Sequence, residues 1–260
     1  MEMLLFSAGA GILGMGVGGL LSALLLKKAS ANITCWLLSF AAGIMTSTVC
    51  FGMLPEAIEL SSVAVSISGL IIGIVIIFLL NKAIDRFANL SGDSMKVHQT
   101  HEEFYHQEQV ISSRSKLLRS GIVMLTAISL HNIPEGIAIG AGVSHDFSLG
   151  VLITTMVTLH NVPEGMAVAA PLLAGGLSRP KAVFWTTISG APTVLGGVIG
   201  LLIGNVSDFA VALSLAAAGG AMLYVVFGEI IPQSVVMTKS RIAPLVTLFG
   251  ILVGLLIANL

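Results

Sequence analysis

Residues 131–136 read HNIPEG and residues 160–165 read HNVPEG, and both strings lie within the most apolar part of the chain. Each string places a histidine, an amide, a proline, a carboxylate and a glycine where a lipid-embedded helix would hold aliphatic residues. Ionisable groups at membrane depth cost about 2.5–3.5 kcal/mol each on insertion scales and indicate a functional site with a specific partner. Because the strings are near copies, we expect each to be the partner of the other, in a metal or proton pathway.

The composition around the two strings predicts an all-α, polytopic membrane protein. Only 10% of the 260 residues are charged and 55% are hydrophobic, whereas a soluble domain has roughly 25% charged residues. A bilayer core of ~30 Å requires about 20 apolar residues per helix. Eight segments of one transmembrane domain over 1–260 satisfy this requirement: 3–26, 33–55, 62–81, 121–143, 147–173, 182–204, 209–235 and 242–260.

The positions of the charges predict the orientation of these helices. All twelve basic residues fall on one side: Lys27, Lys28, Lys82, Arg86, Lys96, Arg114, Lys116, Arg119, Arg179, Lys181, Lys239 and Arg241. Acidic residues occupy the other side: Glu2, Glu56, Glu59, Asp146 and Asp208. The positive-inside rule therefore places both termini outside and the basic loops in the cytoplasm. We expect a multi-pass protein of the cell membrane whose partners are the lipid bilayer and divalent metal ions, with no nucleic acid.

The long polar segment at 85–118 falls on the cytoplasmic side and contains His98, His101 and His106 among glutamates. His-rich tracts bind metal in some proteins. Two interpretations stay open: a solvated loop that only maintains solubility, or a low-affinity regulatory or delivery site for metal.

Two pairs of segments repeat with opposite direction. The two HNxPEG strings lie 29 residues apart on consecutive predicted helices, which must be antiparallel. A weaker pair aligns 41–56 of predicted helix 2 with 219–233 of helix 7 at an offset of 177 and matches Pro55 with Pro232. Inverted repeats around a substrate site near the membrane midplane, on interrupted helices, are typical of secondary transporters.

The spacing inside each string brings metal-ligand residue types together. His131 and Glu135 share one helix face because they are four residues apart, as are His160 and Glu164. Each proline removes a helical hydrogen bond and kinks its helix, and each glycine permits close approach of a facing backbone. Two imidazoles and two carboxylates are then expected to converge. This donor set favours zinc, iron(II), manganese and cobalt over Cu(I), which prefers sulfur, and over Mg²⁺ and Ca²⁺, which prefer oxygen.

The same residue types also serve functions other than metal transport. A proton relay uses His and Glu, and a packing hydrogen bond explains one His–Glu pair but not two copies with Asn, Pro and Gly at identical offsets. An intramembrane metalloprotease requires HExxH, whereas Asn132 and Asn161 follow the histidines here. We therefore expect no enzyme and no resident cofactor. A proton-coupled metal exporter and a metal-sensing membrane protein without transport stay open as alternatives.

Three further residues carry separate expectations. Glu229 lies close to Pro232 in predicted helix 7, which indicates a place on the transport path.

Cys35 and Cys50 are fifteen residues apart in one predicted helix. At ~1.5 Å of rise per residue this separation is too long for a disulfide, so both thiols are expected to be small buried side chains.

The doubled HNxPEG, with FAAGIM at 40–45 and LPE at 54–56, resembles the ZIP (Zrt/Irt-like) family of divalent metal transporters, closest to its prokaryotic zinc-uptake branch. The resemblance covers the whole chain. It implies that zinc, with iron, manganese, cobalt and cadmium as further substrates, moves into the cytoplasm through an often binuclear site between helices 4 and 5. It also implies an elevator-type motion and a homodimer. The ligands implied are His131, Asn132, Glu135, His160, Asn161 and Glu164.

The chain departs from this family pattern in helix 6. Relatives often carry SGxxEP, whose Glu completes the second metal position, whereas residues 189–197 read SGAPTVLGG and place Thr193 there. The second position then holds two amides and lacks a carboxylate, so we expect it to bind weakly or to hold a water or a harder ion. Gly52 likewise replaces an acid in helix 2 and removes one expected contact on the transport path.

Overall fold

Every regular element in the part of the chain that the structure describes is helical. The structure is a computed structural model that describes residues 2–25, 31–90, 114–204, 207–238 and 241–258. The α-helices are α1 (Glu2–Ala8), α2 (Gly14–Leu25), α3 (Ala31–Ser47), α4 (Leu54–Leu60), α5 (Val63–Leu90), α6 (Arg114–His145), α7 (Phe147–Ala174), α8 (Arg179–Ser189), α9 (Pro192–Gly204), α10 (Asp208–Val225), α11 (Ile231–Thr238) and α12 (Ile242–Ala258). The predicted all-α class is confirmed.

Several of these helices are long and apolar enough to cross a membrane. Within the described ranges five such stretches occur: Leu4–Leu25, Asn32–Leu60, Val63–Lys82, Arg179–Leu202 and Asp208–Val235. The helices α6 and α7, with 32 and 28 residues, exceed the required length but contain the two polar motifs. The protein is therefore a polytopic membrane protein. The number of crossings and the side of each terminus stay predictions.

Within the described residues, three π-helical stretches interrupt the α-helices, and no pattern in the sequence predicts them. They are Gly9–Leu13 between α1 and α2, Thr48–Met53 between α3 and α4, and Val226–Ile230 between α10 and α11. Such stretches are rare and frequently occur at functional sites. Each widens a helix locally without breaking it.

The second and third π stretches occupy matching positions of the weaker repeat. The N–H of Leu54 donates to the carbonyl of Val49, five residues earlier. The N–H of Ile231 donates to the carbonyl of Val226, also five residues earlier. Both pairs are related by the offset of 177, and a proline follows each immediately. The two segments of this repeat thus share a π-helical distortion as well as matching residues.

The helices pack as two bundles. One, the site bundle, consists of α1, α2, α6, α7, α8 and α9, in which α9 and α7 pack on α6, and α2 packs on α7. The other, the flanking bundle, consists of α3, α4, α5, α10, α11 and α12, in which α10 packs on α5 and α12 on α3. The two bundles meet where α10 contacts α6 and α3 contacts α7.

Glycines allow backbone-to-backbone contact inside each bundle. A Cβ atom at Gly18 of α2 would overlap the carbonyl of Val162 on α7, and one at Gly73 of α5 would overlap the carbonyl of Ala217 on α10. Small residues let membrane helices approach to this distance. The helices of each bundle are therefore held closely against one another.

Two expectations differ from the structure. The sequence predicts one helix over 182–204, but Gly190 and Ala191 separate α8 from α9. Cys35 is buried as expected, whereas Cys50 is exposed, so its predicted burial is wrong. The reason is that the outer surface of a membrane protein is as apolar as its core, so residue type does not distinguish the two.

The close contact at Gly18 gives a stability prediction. We expect Gly18→Ala to lower the free energy of unfolding by about 1–3 kcal/mol, because the added methyl must displace backbone. Thermal melting of the detergent-purified protein measures this loss. Gly9→Ala is the matched control, since a Cβ at Gly9 meets nothing within 4 Å. Equal melting temperatures for the two variants would contradict the packing described.

Candidate metal centre

The two HNxPEG motifs meet at the contact between α6 and α7. His131 and Glu135 belong to α6, and His160 and Glu164 belong to α7. All four side chains are at most 1% exposed. The structure thus brings the two motifs together, as their antiparallel placement predicts.

Glu135 lies at the centre of the four side chains. Its Oε1 is 2.9 Å from Nε2 of His131 and 2.6 Å from Nε2 of His160. Oε1 of Glu164 is 3.3 Å from the same Nε2 of His131. One carboxylate oxygen therefore contacts both imidazoles and joins the two motifs.

Three of the four residues are spaced as the ligands of a single metal ion. Ligand atoms of His131, Glu135 and Glu164 all lie within 4.8 Å of one another. In the ranges that the structure describes, this is the one group of His, Cys, Asp and Glu with that spacing. His160 falls outside this group but contacts Oε1 of Glu135 through its Nε2.

The prolines of the motifs do not end their helices. Pro134 lies inside α6 and Pro163 inside α7, and both helices continue beyond them. Because proline has no N–H, the carbonyls of Leu130 and Leu159 lose their usual helical donors. The motifs thus combine an unbroken helix, which fixes the ligand positions, with two carbonyls left for other contacts.

The two asparagines anchor the motifs to the interrupted helices of the site bundle. Nδ2 of Asn132 donates to the carbonyl of Ser189 at 2.8 Å, where α8 ends. Nδ2 of Asn161 donates to the carbonyl of Ala10 at 2.9 Å, inside the first π stretch. Each hydrogen bond fixes the orientation of its amide, and Oδ1 of each asparagine has no hydrogen-bond partner. The two anchors are equivalent, one for each copy of the motif.

Both copies leave the same polar atoms unpaired. Nδ1 of the histidine, Oδ1 of the asparagine and Oε2 of the glutamate have no hydrogen-bond partner in either motif, although all six atoms are buried. A buried polar group without a partner costs about 1–3 kcal/mol. A matching set of unpaired acceptor oxygens beside two imidazoles is well suited to a cation that supplies the missing interactions.

Thr193 lies at the edge of this centre, on the first turn of α9. Its Oγ1 is buried and unpaired. A Cβ at Gly11 would lie 2.5 Å from this hydroxyl, and a Cβ at Gly136 would overlap the carbonyl of Thr193. The residue is therefore held between the first π stretch and the HNIPEG motif.

The remaining sequence candidates lie elsewhere. Glu229 is half-buried in the third π stretch, in the flanking bundle, and is not part of the His131 group. The loop histidines His98, His101 and His106 lie outside the described residues.

Sequence reasoning missed the two backbone carbonyls that receive the asparagine amides. The carbonyls of Ala10 and Ser189 have no side-chain signature of their own. A weak signal exists for the second one, because the string from Gly190 to Pro192 is typical of a helix end followed by a helix start.

Comparison with known proteins identifies relatives over most of the chain. Residues 81–260 match the sequence model of the ZIP zinc transporter family. The chain is 35% identical to the zinc transporter ZupT of Escherichia fergusonii over 216 residues, which cover 82% of this chain and 80% of that protein. It is 33% identical to ZupT of Enterobacter sp. over 210 residues, which cover 79% and 77%. ZupT of Salmonella heidelberg is 35% identical over 209 residues, with coverage of 79% and 77%.

Proposed function

The chain belongs to the ZIP zinc transporter family, and we propose from this premise that it carries zinc into the cytoplasm through the centre between α6 and α7. As a member of this family it is a divalent metal transporter of the inner membrane and not an enzyme. The observation that carries the proposal is the buried contact of Glu135 with both motif histidines. The ion is the substrate of this site, and no resident cofactor is required.

We assign the main ion position to the four His and Glu side chains. Zinc in proteins takes four ligands from imidazole nitrogen and carboxylate oxygen at about 2.0–2.2 Å. Nε2 of His131 and His160 with one oxygen each of Glu135 and Glu164 provide four such atoms. Two carboxylates also neutralise a divalent charge, which two imidazoles alone cannot do in a low-dielectric interior.

A second position would be formed by Asn132, Asn161 and Thr193. Their unpaired oxygens, Oδ1, Oδ1 and Oγ1, are neutral. Neutral oxygen ligands favour hard ions over zinc and bind weakly without a carboxylate. We therefore assign one strong zinc position and a weak neighbouring position to this chain.

The distribution of charge gives the proposed orientation of the protein in the membrane, whereas the proposed direction of transport comes from the similarity to the zinc-uptake branch of the family. With eight crossings and all basic residues on one side, the positive-inside rule places both termini outside and the loop at 85–118 in the cytoplasm. For the loop histidines both interpretations remain proposals: a solvated cytoplasmic loop, or a low-affinity site for delivery or regulation. Uptake into the cytoplasm then proceeds from the acidic face of the protein to the basic face.

The division into two bundles supports an elevator-type motion. All proposed ligands lie in the site bundle, whose helices contact one another through backbone at glycines such as Gly136. A body held together in this way can move as a unit against the flanking bundle. The flanking bundle would then remain in place and form the contact between two copies in a homodimer.

Transport into vesicles of known orientation tests the proposed function. We expect Glu135→Ala and Glu164→Ala each to abolish zinc uptake, because each removes a ligand and leaves the site short of negative charge. Glu229→Ala, outside the centre, is expected only to slow uptake. Competition with iron, manganese, cobalt and cadmium establishes selectivity. Normal zinc flux in the double variant Glu135→Ala/Glu164→Ala would contradict the site, and saturable binding without accumulation would favour a sensor.

The weak second position gives a separate prediction. We expect Thr193→Glu to raise the zinc stoichiometry of the purified protein from one ion to two, because it adds a carboxylate beside two amide oxygens. Thr193→Gln is the matched control, with similar volume and no charge, and should retain one ion. Isothermal titration calorimetry measures both. One ion in each variant would show that Thr193 does not face the second position.

A further inference from the structure

A cleft lies between the two bundles next to the metal centre. The cleft is narrow, and its walls come from α7, from α10 and from the segment that joins α3 to α4. Its lining residues include Glu56 of α4, Thr48 and Val157. The cleft combines one carboxylate with mostly apolar walls.

The inner end of the cleft lies close to the proposed ligands. Val157 precedes His160 by three residues on α7, which is about 4.5 Å along the helix axis. Glu56 follows Thr48 by eight residues, or about two helical turns. In the proposed orientation Glu56 lies near the outer end of its helix, so the cleft extends from the outer face towards the centre.

The side chain of Met156 lines this cleft and fills the space beside Gly52. A Cβ at Gly52 would overlap Cε of Met156, and among the described residues the atoms within 4 Å of that position are Cε and Sδ of the same methionine. The methyl group therefore occupies the space that Gly52 leaves by having no side chain.

The contact between Gly52 and Met156 differs in kind from the glycine contacts inside each bundle. Gly18 and Gly73 face backbone carbonyls of neighbouring helices, which cannot move without moving the helix. Gly52 instead faces the end of an unbranched side chain with three rotatable bonds, across the boundary between the bundles. Such a side chain can leave its position by rotation alone.

We propose that Met156, seated on Gly52, is the outer closure of the ion route, and that Glu56 receives the divalent cation at the mouth of that route. This inference rests on the proposed function, since it concerns access to the same site. A single carboxylate attracts a hydrated divalent ion but provides too few ligands to retain it, as a point of entry requires. The closure explains why a glycine occupies position 52: a side chain there would expel Met156.

Cysteine labelling from outside tests the closure without measuring transport. The background is Cys50→Ser, because Cys50 is exposed, and the reporter is Val157→Cys, at a site that is 1% exposed. We expect Met156→Ala to raise the rate of labelling of this cysteine by a membrane-impermeant cationic methanethiosulfonate by about tenfold, equivalent to ~1.4 kcal/mol. Leu159→Ala, on the same helix but outside the cleft, is the control and should leave the rate unchanged. Equal labelling rates with Met156 present and in the Met156→Ala variant would overturn the closure.

Zinc uptake kinetics test the role of Glu56. We expect Glu56→Gln to raise KM for zinc about tenfold, with kcat retained, because the loss of charge weakens capture and not passage. Glu59→Gln is the matched control, since Glu59 does not line the cleft. An equal KM for the two variants would overturn the assignment of Glu56.

Different experimental results would contradict the transport site and the closure. Zinc flux that persists in Glu135→Ala/Glu164→Ala would overturn the transport site, whatever the labelling shows. If zinc flux is lost in that double variant but Met156→Ala does not change the labelling rate, the closure alone is overturned.

Discussion

The rest of this structure depends on one constraint: the negative charge of two buried carboxylates must be compensated. Glu135 and Glu164 are fully buried inside long helices, and removing a carboxylate from water costs several kcal/mol unless opposite charge and hydrogen bonds replace the solvent. The imidazoles supply part of that compensation through Oε1 of each glutamate, but Oε2 of each has no partner. In the proposed function, a divalent cation would supply the remainder. The unpaired carboxylate oxygens are what makes the centre suited to a cation.

The interrupted helices orient the residues of this centre but do not carry its His and Glu side chains. The ligands stand on α6 and α7, which continue through their prolines, so their mutual geometry is set by two regular helices. The asparagines reach outward to carbonyls at a π stretch and at a helix end, Ala10 and Ser189. Irregular backbone at membrane depth is tolerated where it is buried in protein. Here each of the two carbonyls accepts a hydrogen bond from an asparagine amide, and Oδ1 of each asparagine has no partner.

The sequence predicts the chemistry of the centre better than its surroundings. The i, i+4 spacing of His131 and Glu135, repeated at His160 and Glu164, is enough to predict convergence, because one helix face and one antiparallel partner leave few alternatives. The partners of the amides, the π stretches and the exposure of Cys50 depend on contacts between distant segments, which residue types alone do not specify. The role of Gly52 shows the difference clearly. In the sequence it is a missing acid, whereas in the structure it accommodates Met156.

Zinc K-edge X-ray absorption on the purified, zinc-loaded protein tests the central claim most directly, because it reports the ligands themselves. If both copies of the motif form a single site, we expect a first shell of nitrogen and oxygen only, at about 2.0–2.1 Å. We also expect outer-shell scattering from two imidazole rings, which falls to that of one ring in His160→Ala. A sulfur shell, or a spectrum unchanged in His131→Ala/His160→Ala, would contradict such a site.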